Sequence, residues 1–108
     1  MLLAILTDLH ANREAVEACI AHAEQQKAGQ YAFLGDLVGY GADPEWVMST
    51  VMAYVQRGAY ALTGNHDIAI LQDDRQGMNP IARQVVEWTR SQLSDAQIAF
   101  IRNLPYRI

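Results

Sequence analysis

Three short apolar runs, at residues 2–7, 31–34 and 59–62, each break off into a polar cluster, and the stretches between them carry apolar residues at helical spacing. Runs of this length bounded by turn residues read as strands covered on both faces. Asn12 supplies a helix cap, Val16, Cys19, Ile20 and Ala23 recur at i, i+3, i+4 and i+7, and Gly29, after Lys27, is the expected stop. Asp43-Pro44 opens a second helix, with Asp43 as its cap and proline at its first position; Met48, Val51, Met52 and Val55 form its stripe and Gly58 its end. Strand, helix, strand, helix, strand predicts an α/β fold: a parallel sheet with right-handed crossovers, both helices on one face if the strands lie in sequential order. At 108 residues the chain is one domain at most.

Beyond the third run, residues 73–79 read as a mobile polar loop. A third helix is predicted from Asn79-Pro80, with Ile81, Val85 and Trp88 along one side, and a fourth from the capping box Ser94-x-x-Gln97 to about Asn103. Residues 104–108 look like the start of another strand.

Composition narrows the function classes. A hydrophobic fraction of 51% against 19% charged residues suits a packed core and not disorder. The net charge of −4, with no Lys/Arg cluster, argues against a surface that coats nucleic acid. Cys19 is the one cysteine, which excludes an intramolecular disulfide and any zinc site needing two thiolates from one chain. A reducing, cytoplasmic location is the expectation. The apolar N-terminus lacks a basic lead and is too short for a signal peptide or membrane span.

The polar clusters are Asp8-x-His10, Gly35-Asp36 and Gly64-Asn65-His66-Asp67, each directly after a predicted strand. In a parallel sheet the carboxyl ends of the strands open on one edge, so these residues are expected to converge. Asp8-x-His10 and Gly35-Asp36 alone read as turn chemistry, Gly64-Asn65-His66-Asp67 is more specific because glycine permits a tight approach and Asn and His offer two different polar heads, and together they read as a site. Mixed carboxylate, amide and imidazole donors suit manganese, iron, zinc or nickel rather than calcium. An Asp can bridge two cations, and a pair about 3.5–4 Å apart can clamp the attacking and leaving oxygens of a phosphoryl displacement.

Thr7-Asp8-Leu9-His10-Ala11-Asn12, Gly35-Asp36-Leu37-Val38-Gly39-Tyr40-Gly41 and Gly64-Asn65-His66-Asp67 resemble, in order and spacing, the first three motifs of the calcineurin-like metallophosphoesterases, most closely the small bacterial phosphoesterases. One departure is Ala11, where that family most often has glycine. The resemblance implies that Asp8 and His10 bind a first metal, that Asp36 bridges two metals and that Asn65 binds the second. It implies that Asn65 and His66 meet the substrate phosphate, with His66 stabilising the transition state or protonating the leaving alkoxide, and that Asp67 orients and charge-supports His66. The attacking group is then a metal-bridging hydroxide. Tyr40, in a glycine-flanked loop beside the site, is a candidate substrate contact.

Family members carry further histidines in a second half, including Gly-His-x-His, together with a second sheet. This chain has only His10, His22 and His66, with His22 expected exposed on the first helix. Residues 1–108 are therefore expected to be the N-terminal portion of a metallophosphoesterase domain, a half-sandwich lacking its second sheet, with two-metal catalysis incomplete within the chain. The implied partners are a small phosphoester substrate and, across the uncovered apolar sheet face, a second copy or the remainder of the same protein. The alternative is a non-catalytic remnant acting as a metal- or phosphate-binding or interaction module. A di-metal hydrolase of the arginase and deacetylase group also uses Asp-x-His pairs, but leaves residues 64–67 without a role. Cys19 is expected to be buried and inert, Trp46 and Trp88 to pack, and Arg13 to reach a phosphate or stay solvated.

Overall fold

The computed structural model describes residues 1–72 and 77–107. Among these, the chain runs β1 (Leu3–Leu6), α1 (Arg13–Gln25), β2 (Gln30–Phe33), α2 (Pro44–Gln56), β3 (Tyr60–Ala61), α3 (Asn65–Ala69), α4 (Pro80–Gln92) and α5 (Asp95–Arg102). The strands form one parallel sheet in the order β1-β2-β3, the α/β arrangement the alternation predicts.

Register decides which side chains share a face. Leu6 pairs with Phe33 and Phe33 with Ala61, and these three point into the core with Val16 of α1 and Val47, Met48 and Val51 of α2. Tyr54 of α2 lies over the same face, 4.8 Å from Tyr31 and 6.0 Å from Phe33 between ring centroids. The opposite face carries Leu3, Ile5 and Tyr60, which are 48%, 60% and 48% exposed, and Leu34 just beyond β2. An apolar face left open in this way is the expected consequence of both crossover helices lying on one side.

Three of the four predicted caps form, while Asp43 stands at the start of α2 without a side-chain cap bond. Asn12 accepts from the Ala15 amide, Asn79 from Ala82, and Ser94 and Gln97 close a reciprocal capping box. Buried Gln97 also donates to the Glu45 carbonyl and the Ser49 hydroxyl, which fixes α5 against α2. At the end of α1 the left-handed position is taken by Lys27 (φ 61°) and not by Gly29, whereas Gly58 (φ 103°) does follow α2.

Several expectations are corrected. Cys19 is exposed: β1 is an edge strand, so the flank of α1 that bears Cys19 borders an open groove of about 1180 Å³. Trp88 is 44% exposed because α4 buries Thr89 and turns its Ile81 and Trp88 side outward. Residues 65–69 form a short helix to which the sequence pattern assigns no element. The loop at 73–79 falls mostly outside the described residues, as does Ile108. Residues 104–107 show one strand-like link, the Thr63 amide on the Pro105 carbonyl at 2.9 Å. Among the described residues no helix is long and apolar enough to cross a membrane.

Candidate metal centre

The hydrogen bonding between β1 and β2 continues past the strand ends. Asp8 donates its amide to the Gly35 carbonyl at 3.1 Å, His10 to Asp36 at 2.9 Å and Ala11 to Leu37 at 2.9 Å. Gly41 then donates to the His10 carbonyl and Asp43 to that of Ala11. Two loops are thereby laid side by side at the carboxyl edge of the sheet, where ligand sites of open α/β folds sit; the third, at the start of α3, is tied on by the His66 amide to Asp36.

Holding them there bends the backbone. Asp8, His10, Ala11, Asp36 and Tyr40 all have left-handed φ values, between 48° and 70°. Non-glycine residues rarely adopt this region, and such strain persists where surrounding contacts over-determine it, typically at functional sites. Ala11, standing where the resembled family favours glycine, is fully buried in this conformation.

Asp36 is aimed by its neighbours. Its Oδ1 accepts the His66 amide at 3.0 Å, and a side chain on Gly64 would overlap the Asp36 amide and carboxylate. His10 Nδ1 lies 3.3 Å from the Val38 carbonyl, an acceptor only, so that bond requires a proton on Nδ1. In the neutral ring, Nε2 then presents its lone pair to Asp8 Oδ1, 3.6 Å away. Two acceptors facing each other at this distance suit a cation between them, and a carbonyl that fixes the tautomer is the usual support of a metal-binding histidine. One ligand atom from each of His10, Asp36 and His66 lies within 4.8 Å of the others. The donor set fits a divalent cation.

The remaining sequence candidates are placed as follows. Asp8 stands at the rim with its side chain 57% exposed; the Thr7 hydroxyl, donating to its Oδ2 at 2.7 Å, is the main cause that holds its carboxyl below the usual range. Asn65 opens α3 and is exposed. Tyr40 is exposed, its ring 5.2 Å from His10 and 4.7 Å from His66, and the two imidazoles meet edge to face at 4.9 Å. Arg13 is taken up by Glu17 at 2.7 Å and by the Trp46 ring.

Asp67 differs from its expected role. It is fully buried, and its two oxygens accept the amides of Leu37 (2.9 Å), Val38 (3.1 Å) and Gly64 (3.0 Å). The carboxylate holds the loop that carries Asp36 instead of pairing with the His66 ring. Burial pushes its carboxyl up to about 6, against the pull of those amides. The Val38 carbonyl and the Leu37 and Val38 amides are parts of the site with no side-chain signal. The Gly64-x-x-Asp67 spacing, an acidic third residue reaching back to a helix start, is the signal that could have found the Asp67 latch.

Comparison with known proteins agrees with this geometry. The chain matches the family model of the calcineurin-like phosphoesterases over residues 1–104. It is 26% identical over 105 residues to an uncharacterized protein of Methanocaldococcus jannaschii, covering 96% of this chain and 42% of that protein. A crystal structure of a metallophosphoesterase from Sphaerobacter thermophilus superposes with a TM-score of 0.80 at 32% identity, covering 98% of this chain and 42% of that one. The chain thus spans 42% of the length of each of these two relatives. Its strand-end motifs, its parallel sheet and a match running through nearly all of its length make this chain a member of the calcineurin-like phosphoesterase family.

Proposed function

We propose that residues 1–108 are the N-terminal, ligand-bearing portion of a domain that hydrolyses phosphomonoesters or phosphodiesters with two divalent cations, in the cytoplasm. The observation that carries this reading is the convergence of His10, Asp36 and His66 at successive strand ends. Manganese, iron, zinc or nickel suits such donors. Bound divalent cations would supply positive charge against the phosphate oxygens and acidify a shared water.

The placement of the residues supports a part for each. Asp36, whose Oδ1 accepts the His66 amide, would hold the cations with its carboxylate between the two positions. Asp8, held toward its ionised form by Thr7, and His10, fixed in one tautomer by Val38, face one position. Asn65, at the exposed start of α3, offers its amide oxygen to the other. His66 sits beside both, where its ring can donate to a phosphate oxygen or to the leaving alkoxide. Phosphate, cation and proton donor then share one loop cluster.

A second reading, a non-catalytic metal- or phosphate-binding module, rests on ligand count: beyond His10 and His66 the chain offers one histidine, His22, exposed on α1. Hydrolysis of an aryl phosphomonoester and an aryl phosphodiester, with manganese and with chelator, assayed on these residues joined to the remainder of the domain that the hydrolase reading requires, separates the two. The hydrolase reading predicts manganese-dependent turnover that falls at least tenfold in Asp36→Asn. Cation binding without turnover of either ester favours the module.

A further inference from the structure

We infer that this site selects phosphoesters whose leaving group carries a flat aromatic ring, and that Tyr40 makes the selection; the inference rests on the phosphoester reading above. Tyr40 is 71% exposed, yet one flank of its ring leans on both imidazoles, at 4.7 Å from His66 and 5.2 Å from His10 with interplanar angles of 58° and 54°. A singly exposed aromatic residue needs no explanation. What needs one is how firmly this one is held.

Its backbone lies in the left-handed region, φ 70°, which a β-carbon disfavours. On one side, a side chain at Gly39 would meet His66 Nδ1 at 3.1 Å and His66 Cβ at 3.2 Å; on the other, one at Gly41 would overlap the His10 carbonyl. The chain on both sides of Tyr40 therefore packs directly on the two histidines, and the Gly41 amide bonds back to the His10 carbonyl at 2.9 Å. The loop cannot settle inward, and the ring is fixed over the imidazole pair with its outer flank toward solvent. Strain maintained by such contacts is characteristic of ligand clamps.

A phosphoryl group held among His10, Asp36 and His66 places its ester oxygen beside this ring. A planar leaving group on that oxygen can stack on the free flank of Tyr40, while a small alkyl group covers little of it. Stacking of a flat ring on an aromatic side chain is strong enough to give about a tenfold preference.

The test is equilibrium binding to the manganese-loaded protein of three probes that cannot turn over: inorganic phosphate, methylphosphonate and phenylphosphonate. The variants are Tyr40→Phe, which keeps the ring, and Tyr40→Asn, which tolerates the left-handed backbone and removes it. The expected result is a phenyl over methyl preference of about tenfold in the wild type, retained in Tyr40→Phe and reduced to within about twofold in Tyr40→Asn. Phosphate binding by the wild type with no phenyl preference, or a preference that survives in Tyr40→Asn, overturns the role of Tyr40 alone. Failure of the wild type to bind phosphate at all overturns the phosphoester reading and this inference with it.

Discussion

The carboxylate of Asp67 holds the amide of Leu37 at 2.9 Å, across thirty positions of sequence. With the Val38 and Gly64 amides on the same group, one buried side chain ties the start of α3 to the loop that presents Asp36. The two aspartates divide the work: Asp36 faces the ligand, and Asp67 keeps Asp36 in place.

Removing Asp67 therefore strips three backbone N–H groups of their acceptor. Asp67→Ala is expected to destabilise the fold by about 3 kcal/mol or more, since each unsatisfied buried donor costs on the order of 1–3 kcal/mol. Asp67→Asn, which retains one carbonyl oxygen, should cost less. Urea unfolding measures both.

The raised Asp67 carboxyl makes stability depend on pH in a defined window. With the group at about 6 in the folded protein against an ordinary value of 3.8, the folded state holds its proton longer than the unfolded state does. Its contribution is full below about pH 4 and is lost as pH rises through 6. The unfolding free energy of wild type minus that of Asp67→Asn should fall between pH 4 and pH 6 and level off above; a difference flat across that range contradicts the assignment.

Gly64 is where α3 passes closest to Asp36. A methyl group there would overlap the Asp36 amide and carboxylate, so Gly64→Ala must push α3 away from the loop. The expected result is at least a tenfold loss of manganese affinity, a loss of the size that follows when support to a ligand is removed. Calorimetric titration reads the loss directly.

The open sheet face sets association. Leu3, Ile5, Leu34 and Tyr60 present apolar surface that water does not favour. Sedimentation of this chain is expected to show concentration-dependent self-association, which Ile5→Lys with Leu34→Lys reduces. A monomer at all concentrations in both forms contradicts this.

Much of this was legible in the sequence because it is written in side chains. The alternation of apolar runs and stripes gives β1, α1, β2, α2 and β3, and Asn12, Asn79 and Ser94 act as the caps their types imply. The convergence of residues 8–10, 35–36 and 64–67 follows from parallel topology alone. Three things were not legible. The short helix α3 has too few residues to show a period, and its start is stabilised from a distant loop. Cys19 and Trp88 lie on helical stripes, but a stripe marks a contact only where another element covers it, and the neighbours that would bury them are not among the described residues. The Gly64-x-x-Asp67 spacing signals only the bond from Asp67 back to the Gly64 amide; its grip on the Leu37 and Val38 amides, 30 and 29 positions away, is announced by no residue type.

The central proposal is that Asp8, His10 and Asp36 hold a divalent cation at the strand ends, with His66 beside it. Calorimetric titration of metal-depleted protein with manganese, wild type beside Asp36→Asn and with the melting temperature of each recorded, tests it most directly. The account predicts saturable binding by the wild type, weakened at least tenfold in Asp36→Asn while the variant still melts cooperatively. Equal affinity in the two proteins, or no binding by a folded wild type, would contradict it.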